Sequence, residues 1–179
     1  KNCGYDPDKA KALLEEAGWD YSQTITIMVG PWTDNIKPME GIQAQWTNLG
    51  LSVQINIVTT ASLTEKFESG EWDINLDAFP TDDPSSWYPY YITCEGGGAK
   101  QAGYCNPEID ELLAAGLTTA DQAKRAEAYQ QVQKIWAEDM HINFLFATGT
   151  PWVINEGLKG IELPYNWGYA VSNFSEWTR

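Results

Sequence analysis

Strands and helices alternate along the first half of the chain, and this alternation constrains the fold more than any other feature. Residues 24–29 (TITIMV) are largely β-branched and are followed by Gly30 and Pro31, which is typical of a strand. Residues 51–58 alternate apolar and polar side chains as a second strand, and residues 72–79 (WDINLDAF) have strand character. Helices are predicted in the segments between them, so the sequence indicates an α/β domain whose sheet is flanked by helices.

The first helix, predicted over residues 6–17, is the best marked element. Asp6 suits the N-cap position, Pro7 suits the first helical position, and Gly18 is a natural stop. Its apolar residues recur at helical spacing and predict one buried face: Ala10, Leu13, Leu14 and Ala17.

Further helices are predicted over residues 35–49, 62–68, from Asn106 onward, and over 121–139. The last of these is the longest, and an apolar stripe along it predicts core packing by Tyr129, Val132, Trp136 and Met140. Residues 142–146 and 152–154 are predicted to be two more strands. No repeat and no low-complexity linker divides the sequence, so residues 1–179 are predicted to form a single domain.

The charge balance excludes several classes of partner. Asp and Glu outnumber Lys and Arg by 25 to 11, which gives a net charge of −14. A field of that sign repels phosphate backbones and anionic lipid surfaces, so no nucleic-acid partner is expected. No apolar run approaches the roughly 20 residues that span a bilayer, so no direct membrane span is expected either.

Three cysteines, an odd number, occur in the chain. Cys94 and Cys105 flank EGGGAKQAGY, a glycine-rich stretch that packing alone would not hold, and a disulfide closing so short a loop would contribute roughly 3 kcal/mol in the chain-entropy model. Two reduced thiols and a metal site are the alternatives, although the spacing is not that of a CxxC site and His141 is the only histidine. The partner of Cys3 is left open.

Catalytic motifs are scarce, and no enzymatic activity is predicted. A nucleophilic triad needs a Ser or Cys beside a His, and the single His141 gives it little support. Asp82 and Asp83 are adjacent carboxylates, but hydrolysis by paired carboxylates needs two groups from separate elements. The sequence contains no dinucleotide-binding or P-loop motif, and we expect no cofactor and no metal.

The opening segment YDPDKAKALLEEAGW resembles the Y-D-P-x-K-A-K-x-L-L-x-E-A-G segment of family 5 extracellular solute-binding proteins, the peptide, nickel and oligosaccharide binders of ABC importers. Three later segments resemble the same family in the same order. They are IQAQWTNLGLSVQINIV, SGEWDINLDAFPTDDPSSWYPYY and YCNPEIDELLAAGLTTADQAKRAEAYQQVQKIWAEDM. The chain is therefore similar to this family along nearly its whole length.

The resemblance implies one lobe of a periplasmic-binding-protein-like clamp of type II, cluster C, with a mixed sheet flanked by helices. In the family the opening segment begins the carboxy-terminal lobe, so the amino-terminal lobe would be missing from this chain. Residues 157–179 would then form a segment that returns toward that lobe. Some members carry a disulfide just before the N-P-x-x-D helix, where Cys94 and Cys105 stand here.

The function implied is capture of a peptide or similar solute in a cleft between two lobes, for delivery to ABC permease subunits. The location implied is extracytoplasmic, in the periplasm or as a cell-surface lipoprotein. The alternatives are an oligosaccharide-binding ABC component and a free-standing carbohydrate-binding module; a hydrolase is the weakest.

Candidate ligand-binding residues follow two predicted strands, because ligands of open α/β sheets bind beyond the carboxyl ends of strands. They are Trp32, Phe79, Thr81, Asp82, Asp83, Trp87, Tyr88 and Tyr90, most of them in a stretch dense in turn formers, TDDPSSWYPYY. The aromatic rings would stack on the ligand, and the two carboxylates would pair with an amine or accept hydrogen bonds from hydroxyls. In the alternative interpretation, Asp83 and Ser85 cap a short helix and Trp87 is packed inside.

The ligand class is left open by one departure from the family. The peptide binders carry an Asp for the ligand's α-amino group a few residues before the D-P pair, and here Pro80 stands four residues before Pro84. Asp82 could take that role only in a shortened loop. Peptide is therefore the main expectation and oligosaccharide, which stacks on indole rings, is the alternative.

Overall fold

The computed structural model describes residues 4–76, 83–146, 153–161 and 174–178. The chain divides into two units, residues 1–78 and residues 79–179, each of which is described by itself. The boundary between them falls close to the D-P pair at Asp83 and Pro84. The expectation that residues 1–179 act as one domain stays a prediction.

A parallel sheet of three strands lies at the centre of the first unit. Strand β1 is Thr24–Val29, β2 is Ser52–Ile57 and β3 is Ile74–Asn75, in the order β2-β1-β3. The register places Ile27 of β1 opposite both Ile55 and Ile74, so apolar side chains meet across the sheet. Parallel neighbours need long crossover connections, and helices occupy those connections here.

Three helices accompany this sheet: α1 (Pro7–Glu16), α2 (Thr33–Asn48) and α3 (Leu63–Ser69). A single 3-10 turn, Thr60–Ser62, leads into α3. Ile27 and Val29 are completely buried, and Met39 of α2 packs with them in the core. These observations confirm the predicted α/β class with helices flanking a sheet.

The predicted buried face of α1 is wrong. No residue of α1 is buried, and Leu13 is 53% exposed. The spacing of apolar residues correctly predicts a helix, but it cannot show how closely a partner element packs against that face. The cap is as predicted, since the Asp6 carboxylate accepts from the Lys9 amide at 2.9 Å.

Four helices make up the described core of the second unit: α4 (Pro84–Ile92), α5 (Gly97–Gln101), α6 (Pro107–Thr118) and α7 (Gln122–Asp139). Side chains of α4, α6 and α7 form one packed cluster: Ile92, Ile109, Leu113, Tyr129, Val132 and Trp136. The three predicted core residues of α7 are confirmed. The fourth, Met140, is a wrong prediction, because it ends the helix in the left-handed region with φ of 56° and is exposed.

Two predicted strands are not formed by the described residues. Residues 142–146 have no regular structure and Phe144 is 72% exposed; residues 153–154 likewise lie outside any strand, and Trp152 lies outside the described residues. A run of strand-forming residues becomes a strand only when a neighbour supplies ladder hydrogen bonds. The one described bridge in this part of the chain is antiparallel and joins Lys159 to Thr178.

The longest described helix, α7, is strongly polar on its outer side and carries several charged residues. Within the described ranges, none of the helices combines the length and the apolar character that crossing a bilayer requires.

Candidate functional site

Helix α4 presents an outer aromatic face that carries two of the predicted ligand residues. Trp87 and Tyr90 lie three positions apart on the helix and therefore project from neighbouring points of one side. Their side chains are 36% and 43% exposed, respectively. The Trp87 ring also stacks on Tyr91, with ring centroids 6.2 Å apart and 28° between the planes.

The inner face of the same helix is packed into the core. Tyr88 makes edge contacts with Trp136 at 5.2 Å and with Tyr129 at 6.2 Å between ring centroids. Ile92, one turn later, is completely buried. Tyr88 therefore anchors α4 on α7, and a ligand-binding role for it stays a prediction.

Asp83 begins α4 in the way that the helix-cap alternative predicts. Its Oδ1 accepts from the Ser85 amide at 2.9 Å, and Pro84 occupies the first helical position. The stretch dense in turn formers is thus helical from Pro84 onward, because a strong cap and a proline at the first position outweigh its turn-forming composition.

The Asp83 carboxylate is also held by Arg125 of α7, an interaction that the sequence reasoning missed. Arg125 Nη1 donates to Oδ2 at 2.8 Å and Nη2 donates to Oδ1 at 2.6 Å. These hydrogen bonds from Arg125, with those from Ser85, hold the pKa of the Asp83 carboxyl well below its usual range. Asp83 is therefore ionised and already paired. Its carboxylate oxygens keep little capacity to accept further hydrogen bonds from a ligand amine.

A run of glycines, Gly96–Gly98, lies directly against the end of α4. A Cβ at Gly96 would collide with the backbone carbonyls of Pro89 and Tyr90. A Cβ at Gly98 would lie 2.9 Å from the rings of both Tyr90 and Tyr91. The glycines therefore allow the backbone of residues 96–98 to approach α4 closely. The glycine-rich stretch, which was predicted to lack packing of its own, forms the short helix α5.

The disulfide between Cys94 and Cys105 is confirmed and closes the loop that contains α5. Asp110 of α6 accepts a hydrogen bond from the Cys94 amide at 3.0 Å, which ties the start of the loop to α6. The Tyr104 hydroxyl donates to Asp139 at 2.6 Å, and burial together with this bond raises the pKa of Tyr104.

His141 belongs to this structural cluster. Its ring stacks on Tyr104, with centroids 4.1 Å apart and 1° between the planes. Its Nε2 donates to the Tyr91 carbonyl at 3.2 Å, since a carbonyl can only accept. Burial lowers the pKa of His141, so the neutral ring is the favoured form in the fold.

Trp32 belongs to the first unit, where it follows the carboxyl end of β1 and precedes α2. Its indole is 44% exposed and covers Gly30, where any Cβ would collide with the ring. An exposed aromatic ring thus lies beyond this strand, and its contact with a ligand stays a prediction. Phe79, Thr81 and Asp82 lie outside the described residues, as does Cys3.

An open apolar groove of about 400 Å³ lies in the first unit, and none of the predicted ligand residues that the structure describes is among the residues lining it. Leu13 and Leu14 of α1, Trp19 and Trp46 line much of it. Almost no polar surface faces the groove, so nothing there would orient a peptide or a sugar. We interpret it as loose packing of α1 rather than as a ligand site. In the described segments, no group of three or more His, Cys, Asp or Glu side chains could hold a metal ion.

Comparisons with known proteins agree on one family. Residues 1–101 match the model of the bacterial extracellular solute-binding proteins, family 5 Middle. The dipeptide-binding protein of Pseudomonas aeruginosa is 29% identical over 97% of this chain and 34% of its own length. Di/tripeptide-binding protein 3 of the same species is 31% identical over 79% of this chain and 28% of its own length.

Solved structures give the same result. The dipeptide-binding protein of Pseudoalteromonas, in complex with Met-Leu, is 27% identical and has a TM-score of 0.66, covering 76% of this chain and 29% of that one. The fold is also that of NikZ from Campylobacter jejuni, in complex with Ni(L-His), with a TM-score of 0.78 at 17% identity over 100% of this chain and 40% of that one. The chain spans about a third of the length of the curated relatives it matches.

Proposed function

Because the chain belongs to the bacterial extracellular solute-binding proteins of family 5, we propose that it forms one lobe of the substrate-binding component of an ABC importer. A second lobe, outside this chain, completes the clamp, and the two close over a solute. The observation that carries this proposal is the match to a dipeptide-binding protein over 97% of the chain and only 34% of that relative.

A short peptide is the ligand that we propose. The relatives described above are named for dipeptides and for di- and tripeptides, and one solved relative holds Met-Leu. The exposed rings of Trp32, Trp87 and Tyr90 suit apolar peptide side chains, because aromatic faces bury large apolar area at low entropic cost.

Asp83 is not the group that we assign to the peptide's amino terminus. Both of its carboxylate oxygens accept hydrogen bonds from Arg125, and one also caps α4. Asp82, beside it in the sequence, keeps that role as a prediction.

The family supports the location and the partners that we propose. An extracytoplasmic protein, periplasmic or held at the cell surface as a lipoprotein, meets ABC permease subunits that take the solute from it. The Cys94–Cys105 disulfide supports an oxidising compartment. No catalytic role is proposed, since the family binds solutes rather than converting them.

Calorimetry of the full-length protein tests the ligand class. A panel of di- and tripeptides is titrated alongside a panel of oligosaccharides at matched concentration. We expect saturable heat with peptides and none with oligosaccharides. Binding of oligosaccharide alone would replace the peptide with a sugar as the ligand, and absence of heat from both panels would contradict the proposal.

A further inference from the structure

We propose that Arg125 is a positioning residue for the aromatic face of α4, and so for ligand affinity; this rests on the proposed function. Arg125 does not lie on that face. It acts through Asp83, the residue that starts α4 one turn before Trp87. The proposed effect therefore has two parts. Arg125 fixes the start of α4 through Asp83, and the helix fixed in this way presents its aromatic rings to the ligand.

The anchor fixes the Asp83 carboxylate from two directions. The guanidinium fork donates to both oxygens, at 2.8 Å and 2.6 Å, and such two-point pairing sets orientation as well as distance. The Ser85 amide, which belongs to the helix itself, donates to Oδ1 at 2.9 Å. Ser86 N–H donates to the Asp83 carbonyl at 2.9 Å and closes the first turn.

Arg125 is in turn tied to two packed helices. Its Nε donates to the Gly116 carbonyl of α6 at 3.3 Å, and its guanidinium carbon lies 5.1 Å from the ring centre of Tyr129. Nη2 also reaches the Tyr129 hydroxyl at 3.4 Å. Tyr129 is buried in the core, so a continuous path of contacts links the core to Asp83, the N-cap residue of α4.

This pair contributes to position more than to global stability. The side chains of Arg125 and Asp83 are 32% and 41% exposed, and partly exposed ion pairs add little to the free energy of folding. Tyr88 and Ile92 hold the middle and end of α4 on the core without help from Arg125. Loss of Arg125 should therefore loosen the first turn, next to Trp87, while the fold is retained.

Arg125→Gln in the full-length protein is the main test, with Lys124→Gln as the matched control. Lys124 is the preceding residue on α7 and is exposed, so its loss changes the charge equally without touching Asp83. We expect Arg125→Gln to speed amide hydrogen exchange in residues 83–92 and to weaken dipeptide affinity by roughly three- to thirtyfold. Lys124→Gln should change neither, and both melting temperatures should stay close to that of the wild type.

Two further variants separate positioning from simple loss of structure. Arg125→Lys keeps the charge but not the two-point geometry, so it should resemble Arg125→Gln more than the wild type. Asp83→Asn keeps a helix-capping side chain but removes the charged partner, and the double variant with Arg125→Gln should bind no more weakly than the poorer single variant.

Unchanged exchange in residues 83–92 of Arg125→Gln would overturn the inference. So would faster exchange with unchanged affinity, because the residue would then be structural only. If the wild type itself bound no peptide, the proposed function would fail, and with it the affinity part of the inference. The exchange data would still decide the anchoring part.

Discussion

Gly96 shows how a single position decides whether α5 can lie against α4. An added Cβ would collide with two backbone carbonyls, which cannot move aside as the tip of a flexible side chain can. We expect Gly96→Ala to destabilise the protein by about 1–3 kcal/mol, the usual cost of overpacking. Thermal and urea denaturation of the full-length protein would measure this loss.

Gly41 provides the control for that prediction. It lies inside α2, and a Cβ added there would have no neighbouring atom within 4 Å, so the methyl group meets open space. Gly41→Ala should stabilise by about 0.5–1 kcal/mol, since glycine is unfavourable inside a helix. Equal effects of the two variants would show that close approach at Gly96 is not what requires glycine there.

His141 gives a pH dependence whose sign follows from its burial. Its folded pKa lies below the usual value of about 6.5, so its contribution to stability is fully present above that pH and is lost as the pH falls through the folded pKa. Asp139 and Tyr104 face the ring; the pKa of Asp139 is lowered and that of Tyr104 raised, so both titrate well outside this window.

We therefore expect the melting temperature of the wild type to fall between pH 7 and pH 5 more steeply than that of His141→Gln. Glutamine keeps a donor for the Tyr91 carbonyl and a flat group to lie on Tyr104, but it does not titrate in this range. Parallel curves for the two proteins would contradict the prediction.

Local signals at single residues are predictable from the sequence, whereas distant pairings are not. The predicted cap Asp6 depends on an amide three positions away, and it forms in the fold. Arg125 and Asp83 are 42 positions apart, and no spacing rule connects them. The sequence offers the Asp83 helix cap as one alternative, but it cannot show that Arg125 pairs with the same carboxylate.

At the scale of elements, α1 and α6 differ in how deeply their apolar side chains are buried. Ile109 of α6 is completely buried, whereas Leu13 of α1 is half exposed beside an open groove. We expect Ile109→Ala to cost about 2–5 kcal/mol, from lost burial and the cavity left behind. Leu13→Ala should lower the free energy of unfolding by less than about 1 kcal/mol, since about half of the Leu13 side chain is already exposed in the fold.

Urea denaturation of both variants in the full-length protein tests this contrast. A loss at Leu13 as large as that at Ile109 would mean that α1 is packed as closely as its sequence pattern suggests, against part of the protein outside this chain. A small loss at both would contradict the core assignment of α6.

Element type follows from sequence where the apolar pattern is regular, as in the strands β1 and β2 and the helices α1 and α7. Composition alone does not predict the element type where packing against neighbouring residues decides it. Residues 84–92 contain two prolines and are dense in turn formers, but one proline starts the helix and the core holds the rest. Residues 142–146 have strand-forming side chains, yet no described neighbour pairs with them.

At the scale of the whole molecule, the order of four segments predicts the family without knowledge of the fold, because several spaced matches in one order are far rarer than one. The ligand is not predictable to the same degree. The predicted ligand residues include Trp32, Trp87 and Tyr90, which expose their rings, and Phe79, Thr81 and Asp82, which lie outside the described residues. Aromatic rings alone suit both peptides and sugars.

If the chain is one lobe of a two-lobed clamp, as proposed, binding needs both lobes. With a dipeptide at about 100 times its dissociation constant, the full-length protein should be stabilised by about 2.7 kcal/mol and melt at a higher temperature. The 179-residue chain alone, checked for helix content by circular dichroism, should show no comparable shift, because one lobe supplies only part of the contacts. An equal shift in the isolated chain would instead favour a free-standing binding module, and a shift with oligosaccharide in place of peptide would favour a sugar ligand.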